Sequence, residues 1–330
     1  MKYFPIEIKE KYGYVDEKGS EVIPFIYDYA DEFEGEKAFV EIDGLCGFID
    51  KEGEVSIEAK YDDINYFNEN RALVEVNHMY GYINEQGEEV IPLRYEDGLG
   101  FTEGLAAVKV LGKWGFIDLN GRIVIKPTFD EVNQFDSNGL AVVKKNNKYG
   151  YINKEGICSS GYIYDYANSF SHGLAAVGLN NKNVYIDENF EVRIDKDFDF
   201  INDFNEDVAA VSLNDEWGFI NIEGDFVIKP SYQWTDSFNN GYAPICKNES
   251  YGFINMSGYE IIKPIYDNVL DYSEGLFSVE VNGKWGFVDE NDSFVIEPQF
   301  EEVENFYDGY CKVITTNEET YIDKSGKKVI

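Results

Sequence analysis

Apolar residues in this chain come in short blocks of strand length, each closed by residues that favour turns, and the blocks recur. In one stretch Leu105-Ala106-Ala107-Val108-Lys109-Val110 leads through Leu111-Gly112 into Trp114-Gly115-Phe116-Ile117-Asp118, and that run leads through Leu119-Asn120-Gly121 into Ile123-Val124-Ile125. Two β-compatible runs around a two-residue turn of positive-φ-tolerant residues predict a tight hairpin. The same turn carries Asp43-Gly44, Asn77-His78, Asn146-Asn147, Asn214-Asp215, Asn248-Glu249 and Asn282-Gly283 elsewhere. The second run ends in Asp or Asn, and three residues later stands a glycine in all copies but two, which have Phe190 and Asp292. An Asx that caps its own turn, followed by a left-handed glycine, predicts a second hairpin. The third run has Ile at the tenth position past the central glycine in nine of ten copies. It is expected to stop near Pro24, Pro92, Pro127, Pro230, Pro264 or Pro298, because proline cannot donate a ladder hydrogen bond. Three antiparallel strands per unit are the expectation.

The central glycine falls at Gly13, Gly47, Gly81, Gly115, Gly150, Gly218, Gly252 and Gly286, with Val184 and Thr320 in its place in two copies, at a step of 34 residues broken once by 35. Between units, the linker Phe129-Asp130-Glu131-Val132-Asn133-Gln134-Phe135 has an apolar residue at every third position. That spacing predicts a single helical or 3₁₀ turn. The last linker residue is aromatic in all nine linkers: Phe33, Phe67, Phe101, Phe135, Phe170, Phe204, Phe238, Tyr272 and Phe306. These read as plugs, each contributing roughly 1.5 to 3 kcal/mol by burial. An unbroken repeat needs no internal boundary, so residues 1–330 read as one domain. The expected fold is all-β, an open twisted solenoid of ten three-stranded β-meander repeats. A closed propeller-like ring is the alternative, set second because propellers typically have about four to eight blades of four strands.

The segments Lys113-Trp114-Gly115-Phe116-Ile117-Asp118, Lys284-Trp285-Gly286-Phe287-Val288-Asp289 and Gly104-Leu105-Ala106-Ala107-Val108 carry a family likeness. Through them the chain resembles the WG-repeat (KWG) proteins over nearly all of its length. Trp114, Trp217 and Trp285 keep the tryptophan; Tyr12, Tyr80, Tyr149 and Tyr251 replace it, and Cys46, Asn183 and Glu319 depart further. The resemblance implies a β-rich, mostly bacterial repeat array that mediates interactions, and it implies no catalytic residues.

Charge narrows the partners. With 28 Lys and Arg against 63 Asp and Glu, the formal charge is −35, which repels nucleic-acid phosphates and anionic lipid surfaces and favours a protein partner with a basic face. The start of the chain lacks the apolar core of a signal peptide, and no run approaches the ~18 apolar residues of a membrane span, so a cytoplasmic location is expected. Cys46, Cys158, Cys246 and Cys311 lie in different repeats without CxxC spacing and read as small buried apolar residues. His78 and His172 are too scattered for a metal site or a triad. The recurring Asp and Asn residues read as turn chemistry rather than calcium ligands. Acidic pairs such as Asp62-Asp63 and Glu301-Glu302 read as a solvated face. No phosphate-cradling loop is present, and neither cofactor nor metal is expected.

The informative residues are those that break the repeat. Sixteen positions past the glycine most copies carry Asp63, Asp97, Glu131, Asn268 or Glu302, whereas three consecutive copies carry Tyr166, Phe200 and Trp234, and the first carries Tyr29. A position that tolerates solvent in sister repeats and is aromatic here is a candidate binding stripe. The competing reading is that these rings fill gaps in an irregular region, where Ser160 replaces the usual Ile and Asn183-Val184 replaces Trp-Gly. The sequence therefore points to a non-enzymatic module that binds another protein. The alternatives are a glycan-binding module using the aromatics, or an enzyme with its site in the irregular repeats of residues 150–200.

Overall fold

The computed structural model describes residues 2–330, and those residues form strands and turns with no helix. The chain divides into two units, Met1–Ser169 and Phe170–Ile330. Leu105–Val110 and Lys113–Asp118 pair antiparallel, from Leu105 opposite Asp118 to Val110 opposite Lys113. Leu111 and Gly112 make the turn between them with φ of 50° and 71°. The Asp118 carboxylate accepts the backbone N–H groups of Asn120 and Arg122, each at 2.9 Å. Gly121 follows at φ 74°, and the chain returns as Ile123–Phe129 along Lys113–Asp118. Phe190 and Asp292, which stand where other copies have glycine, occupy the same left-handed region at φ 64° and 59°. Both expected hairpins are present.

The linker differs from its expected form. Instead of a helical turn it forms a two-residue strand, Asp97–Gly98, paired antiparallel with Leu105–Val110 so that Asp97 faces Lys109. The chain then runs extended to Thr102, which bridges Leu105 around Glu103-Gly104. The period of three comes from a bend at Glu96, the short strand, and an extended segment that carries Phe101 back to the core. Periodicity over seven residues cannot separate that path from a single helical turn.

The sheet so formed has four strands in chain order: short, first, second and third. This up-and-down meander is the build of a propeller blade. The first unit has three such sheets, starting at Tyr29–Ala30, Asp63–Ile64 and Asp97–Gly98. The second has three more, starting at Phe200–Ile201, Trp234–Thr235 and Asn268–Ser273. The open solenoid of three-stranded meanders is thereby overturned, and the propeller alternative is the architecture of these blades. The fourth strand was hidden in the segment read as a linker.

Proline does not stop the third strand either. Ile123–Phe129 runs through Pro127, because this strand is the sheet's edge and the missing N–H has no ladder partner to lose. Pairing slips there: Trp114 faces Phe129 while Phe116 faces Ile125, so two steps on one strand meet four on the other. Gly115 lies inside this bulge. A Cβ on it would stand 2.5 Å from the Ile125 carbonyl oxygen and 2.6 Å from the Pro127 nitrogen, so no side chain fits. The equivalent approach to an Ile oxygen is 2.5 Å at Gly47 and Gly218 and 2.4 Å at Gly252. In the Val184 copy the third strand, Val192–Phe198, carries no proline.

Alternate residues serve two cores. Leu105, Ala107, Phe116 and Ile125 join Phe135, Ala141, Val143 and Ile152 on one side of the sheet. Ala106, Val108 and Ile117 join Tyr82, Ile91 and Phe101 on the other. Burial on both faces is why these strands read as continuous apolar runs. Six linker aromatics are buried as expected, namely Phe101, Phe135, Phe170, Phe204, Phe238 and Phe306, while Phe33, Phe67 and Tyr272 are half-buried. Phe135 lies 4.9 Å from Phe116 and Phe238 lies 4.7 Å from Phe219, ring centre to ring centre, so each plug meets the aromatic that follows the blade's glycine. Where that aromatic is tyrosine its hydroxyl is also satisfied, as in Tyr82 donating to the Leu99 carbonyl at 2.8 Å and Tyr185 donating to that of Asn202 at 2.6 Å.

Gly115→Ala is expected to destabilise the protein by about 1 to 3 kcal/mol or more, since the added methyl meets backbone that cannot swing aside. Gly112→Asn, at an open turn position, should stay within ~0.5 kcal/mol. Urea unfolding of the two variants checks this, and equal losses would refute the role given to the bulge.

Candidate interaction surface

Surface candidates are found by first removing the side chains that hold the blades together. Fifteen residues past the glycine stands a polar, mostly acidic residue at the bend before each short strand. Asp130 forms an ion pair with Lys113 of one blade and accepts the Asn146 N–H from the hairpin turn of the next at 2.9 Å. Asp28 does the same with Lys11 and the Asp43 N–H, the latter at 2.6 Å. Glu96 takes two turn N–H groups, Leu111 at 2.9 Å and Gly112 at 2.7 Å. The lysine ammonium, followed by the turn N–H, holds the carboxyls of Asp28 and Asp130 below the usual range. For Glu301 the lowering comes from Lys284 and then the Thr316 hydroxyl. Asp62, expected on a solvated face, is such a fastener, accepting the Asn77 N–H at 2.5 Å, and so is Glu301 through its Lys284 ion pair. A second series links turn to turn: Glu69 accepts the Gly104 N–H at 3.0 Å, Glu206 that of Gly241 at 2.9 Å and Glu274 that of Gly309 at 3.0 Å. Asp62 and Glu301 are exposed, as expected of a solvated face, and their fastening role was not legible in sequence because the partners stand about 15 residues away.

The next residue is the first of the short strand, and it is where the sequence placed its candidates. Tyr29, Tyr166, Phe200 and Trp234 all occupy it, the first two in the first unit and the last two in the second. Phe200 is 62% exposed, Tyr29 41% and Trp234 40%, while Tyr166 is half-buried. Each row across the sheet explains what the ring replaces. In two copies the row is acid, lysine, aromatic: Glu131 faces Lys144, which faces Tyr149, with Lys144 bonded to Glu131 at 2.7 Å and lying 5.0 Å from the Tyr149 ring centre. Asp97, Lys109 and Trp114 form the same row. In two rows of the second unit the sequence of side chains is instead aromatic, small, aromatic. Phe200 faces Ser212, which faces Trp217, and the two rings lie near-parallel over the serine at 6.2 Å and 16°. Trp234 faces Cys246, which faces Tyr251, with the rings edge to face at 6.0 Å.

Sequence reading missed this second half of the pattern. The signal was available, since Ser212 and Cys246 stand twelve residues past Phe200 and Trp234, where Lys109 stands past Asp97. In these two rows the small residue suits the rings, because a lysine between them would lose its carboxylate and block their approach. A cleft of about 530 Å³ adjoins Trp234, lined also by Asp236, Pro244, Leu270 and Asp271.

The remaining candidates have local explanations. Cys46, Cys246 and Cys311 are buried and Cys158 is half-buried, all as free thiols. Burial pushes the Cys46 thiol up to about 11 and that of Cys311 to about 12, so neither is a ready nucleophile. His78 sits in a hairpin turn beside Glu75 at 3.1 Å, and His172 lies beside the Ser171 hydroxyl at 3.1 Å. Among the described residues no group of three or more His, Cys, Asp or Glu is placed to hold a metal ion.

Comparison with known proteins agrees with the repeat. The profile of the family described as WG containing repeat matches residues 12–46, 47–77, 80–114, 114–149, 149–182, 185–217, 217–250, 251–285 and 285–315. No curated protein matches the chain in sequence. Among solved structures, a crystal structure of the eukaryotic initiation factor is similar with a TM-score of 0.57 and 11% identity, covering 99% of this chain and 94% of that one. The Kluyvelomyces marxianus Hsv2 structure is similar at a TM-score of 0.41 and 6% identity, over 67% of this chain and 89% of that one. At such identities the first likeness is one of fold alone.

Two outcomes follow from the placement of these groups. Phe200→Asp, a residue that sister copies already accept, should change stability by no more than ~0.5 kcal/mol, whereas Phe204→Ala, which removes a buried plug 4.9 Å from Tyr185, should cost about 3 to 5 kcal/mol. Comparable losses in denaturant unfolding would show that Phe200 fills the core. The second outcome concerns acid. A backbone N–H four residues on holds the carboxyls of Asp16, Asp118, Asp187 and Asp289 below their ordinary value. The stability they supply is present above the unfolded value of about 3.9 and is lost as pH falls through the folded one. Replacing these four by Asn, which keeps the acceptor but does not titrate, should flatten the fall of melting temperature between about pH 4 and 2. An unchanged slope would refute it.

Proposed function

The chain belongs to the WG containing repeat family, and from that premise we propose that it is a non-enzymatic interaction module that binds another protein through the linker surface of its blades, the partner presenting a basic face. The observation that carries this reading is the pair of aromatic rows, exposed Phe200 with half-buried Trp217 and exposed Trp234 with half-buried Tyr251, on a chain of net charge −35. Large rings held on a rigid strand supply contact area at little entropic cost, and aromatic anchors concentrate binding energy. Much of the lysine complement is engaged in ion pairs within the fold, as at Lys11, Lys113, Lys144 and Lys284, which leaves the surface field strongly negative. Such a field favours encounter with a cationic partner and disfavours nucleic acid and anionic lipid. The proposal assigns no catalytic residue, because the notable side chains recur as blade framework.

Selection of displayed random peptides on the purified protein tests the reading. Enriched peptides should be basic with an apolar anchor, and their binding should weaken steeply as salt rises from about 0.05 to 0.5 M, because screening shortens the reach of the field. Binding should also be lost in a Phe200→Asp/Trp234→Asn variant that melts normally. Enrichment without basic bias, or salt-insensitive binding to glycans with none to peptides, would overturn it.

A further inference from the structure

The cleft beside Trp234 has a composition that the proposed function does not use. Trp234 opens the short strand of its blade, and Asp236 and Asp271 belong to successive linkers. Ser237, Asn205 and Asn239 add polar groups to the wall, and Leu270 and Pro244 add apolar ones. Asp236 accepts the Ser237 N–H at 2.6 Å through Oδ1, and Asp271 accepts the Asn305 amide at 3.1 Å through Oδ2. Neither carboxylate forms an ion pair among the described residues, in contrast to Asp28, Asp130 and Glu301. Two uncompensated carboxylates and an indole ring thus line one cleft of about 530 Å³.

The linker surface of the first unit shows what such a place holds. There the chain's own Lys37 ammonium lies 4.6 Å from the ring centre of the linker aromatic Phe67 and donates to the Glu85 carbonyl at 3.0 Å. A cleft of about 330 Å³ around it is lined by Glu34, Glu36 and Glu85 together with Tyr66 and Phe67. In this fold a cation thus sits over a linker aromatic in an acid-lined cleft, held by a backbone carbonyl, where the sequence supplies one. At Trp234 the sequence supplies none.

We propose that the cleft lined by Trp234, Asp236 and Asp271 is the specificity pocket for an arginine side chain of the partner. This rests on the protein-binding reading and names its anchor. Arginine is favoured over lysine because a planar guanidinium lies flat on an indole while its fork of N–H donors reaches carboxylates at its edge. Indole is also the strongest of the aromatic faces for a cation. Asp236 and Asp271 keep the oxygens that the fold leaves open, and the asparagines and Ser237 offer polar neighbours for the remaining N–H groups.

The test uses the full chain labelled with fluorotryptophan, whose four tryptophans give separate fluorine resonances, that of Trp234 being assigned by its loss in Trp234→Phe. The probe is N-acetyl-arginine methylamide, with the neutral citrulline compound as its control. The arginine compound should shift the Trp234 resonance saturably and the citrulline compound should not. Asp236→Asn/Asp271→Asn, which keeps the Oδ1 acceptor for Ser237, should weaken arginine binding roughly tenfold or more. A citrulline response equal to that of arginine overturns the pocket on the unmodified chain, whatever the double variant does to folding. Basic peptides that bind the double variant as tightly as the parent would overturn the pocket and leave the protein-binding reading standing. Saturable arginine binding at Trp234 with no basic peptide selected would support the pocket and overturn that reading.

Discussion

The structure depends on one close approach between backbones. At the second strand of most blades the chain opposite bulges, and the carbonyl of an isoleucine stands about where a Cβ would be, 2.5 Å away at Gly115; the blade with Val184 keeps the same slip of register. At Gly115 only glycine leaves room, and the third strand bends there while keeping its isoleucine, Ile125, in the core with Phe116 and Phe135. The prolines sit in the same bulge at a sheet edge, where their missing N–H is harmless. The residues that name the repeat are thus consequences of one packing contact. The aromatic before the glycine contributes less, since tyrosine replaces tryptophan in four copies and asparagine or cysteine in others, whereas nothing larger than hydrogen fits opposite Ile125 without a shift of the backbone.

A second constraint acts between blades. Each bend carries an acid or amide that reaches forward to a hairpin turn, and several also pair with a lysine behind them. The turns need these acceptors because tight turns point backbone N–H groups outward, and a carboxylate meets that need more strongly than water. Part of the acidic excess is therefore structural. Asp28, Asp130 and Glu301 come with lysines and add nothing to the net charge of −35, whereas Asp62 and Glu96 fasten turns without an ion pair among the described residues.

The aromatic rows of the second unit read best as a change of row chemistry rather than as repair. An ion pair bridging to a ring, as in Glu131, Lys144 and Tyr149, is exchanged for two rings over a small residue, as in Phe200, Ser212 and Trp217. The first two positions change together, while the third stays aromatic and the hydrogen-bond register stays the same. A ring introduced merely to fill a void would be buried, yet Phe200 is among the most exposed large apolar residues of the chain.

Sequence alone determined the repeat, both hairpins and six of the buried aromatic plugs, because each is set within about a dozen residues by turn chemistry and alternation. It also made the family legible from the Trp-Gly-Phe-Ile-Asp segments. It did not reveal the short fourth strand, which at two residues has no period of its own and exists only because Leu105–Val110 offers it an open edge. The same limit hid the strand running through Pro127, the fastening role of Asp62 and Glu301, and the partnership of Phe200 with Trp217. Each of these depends on a contact with another strand or turn, and the identity of such a neighbour is decided by which edges the folded sheets bring together, not by the order of residues along the chain.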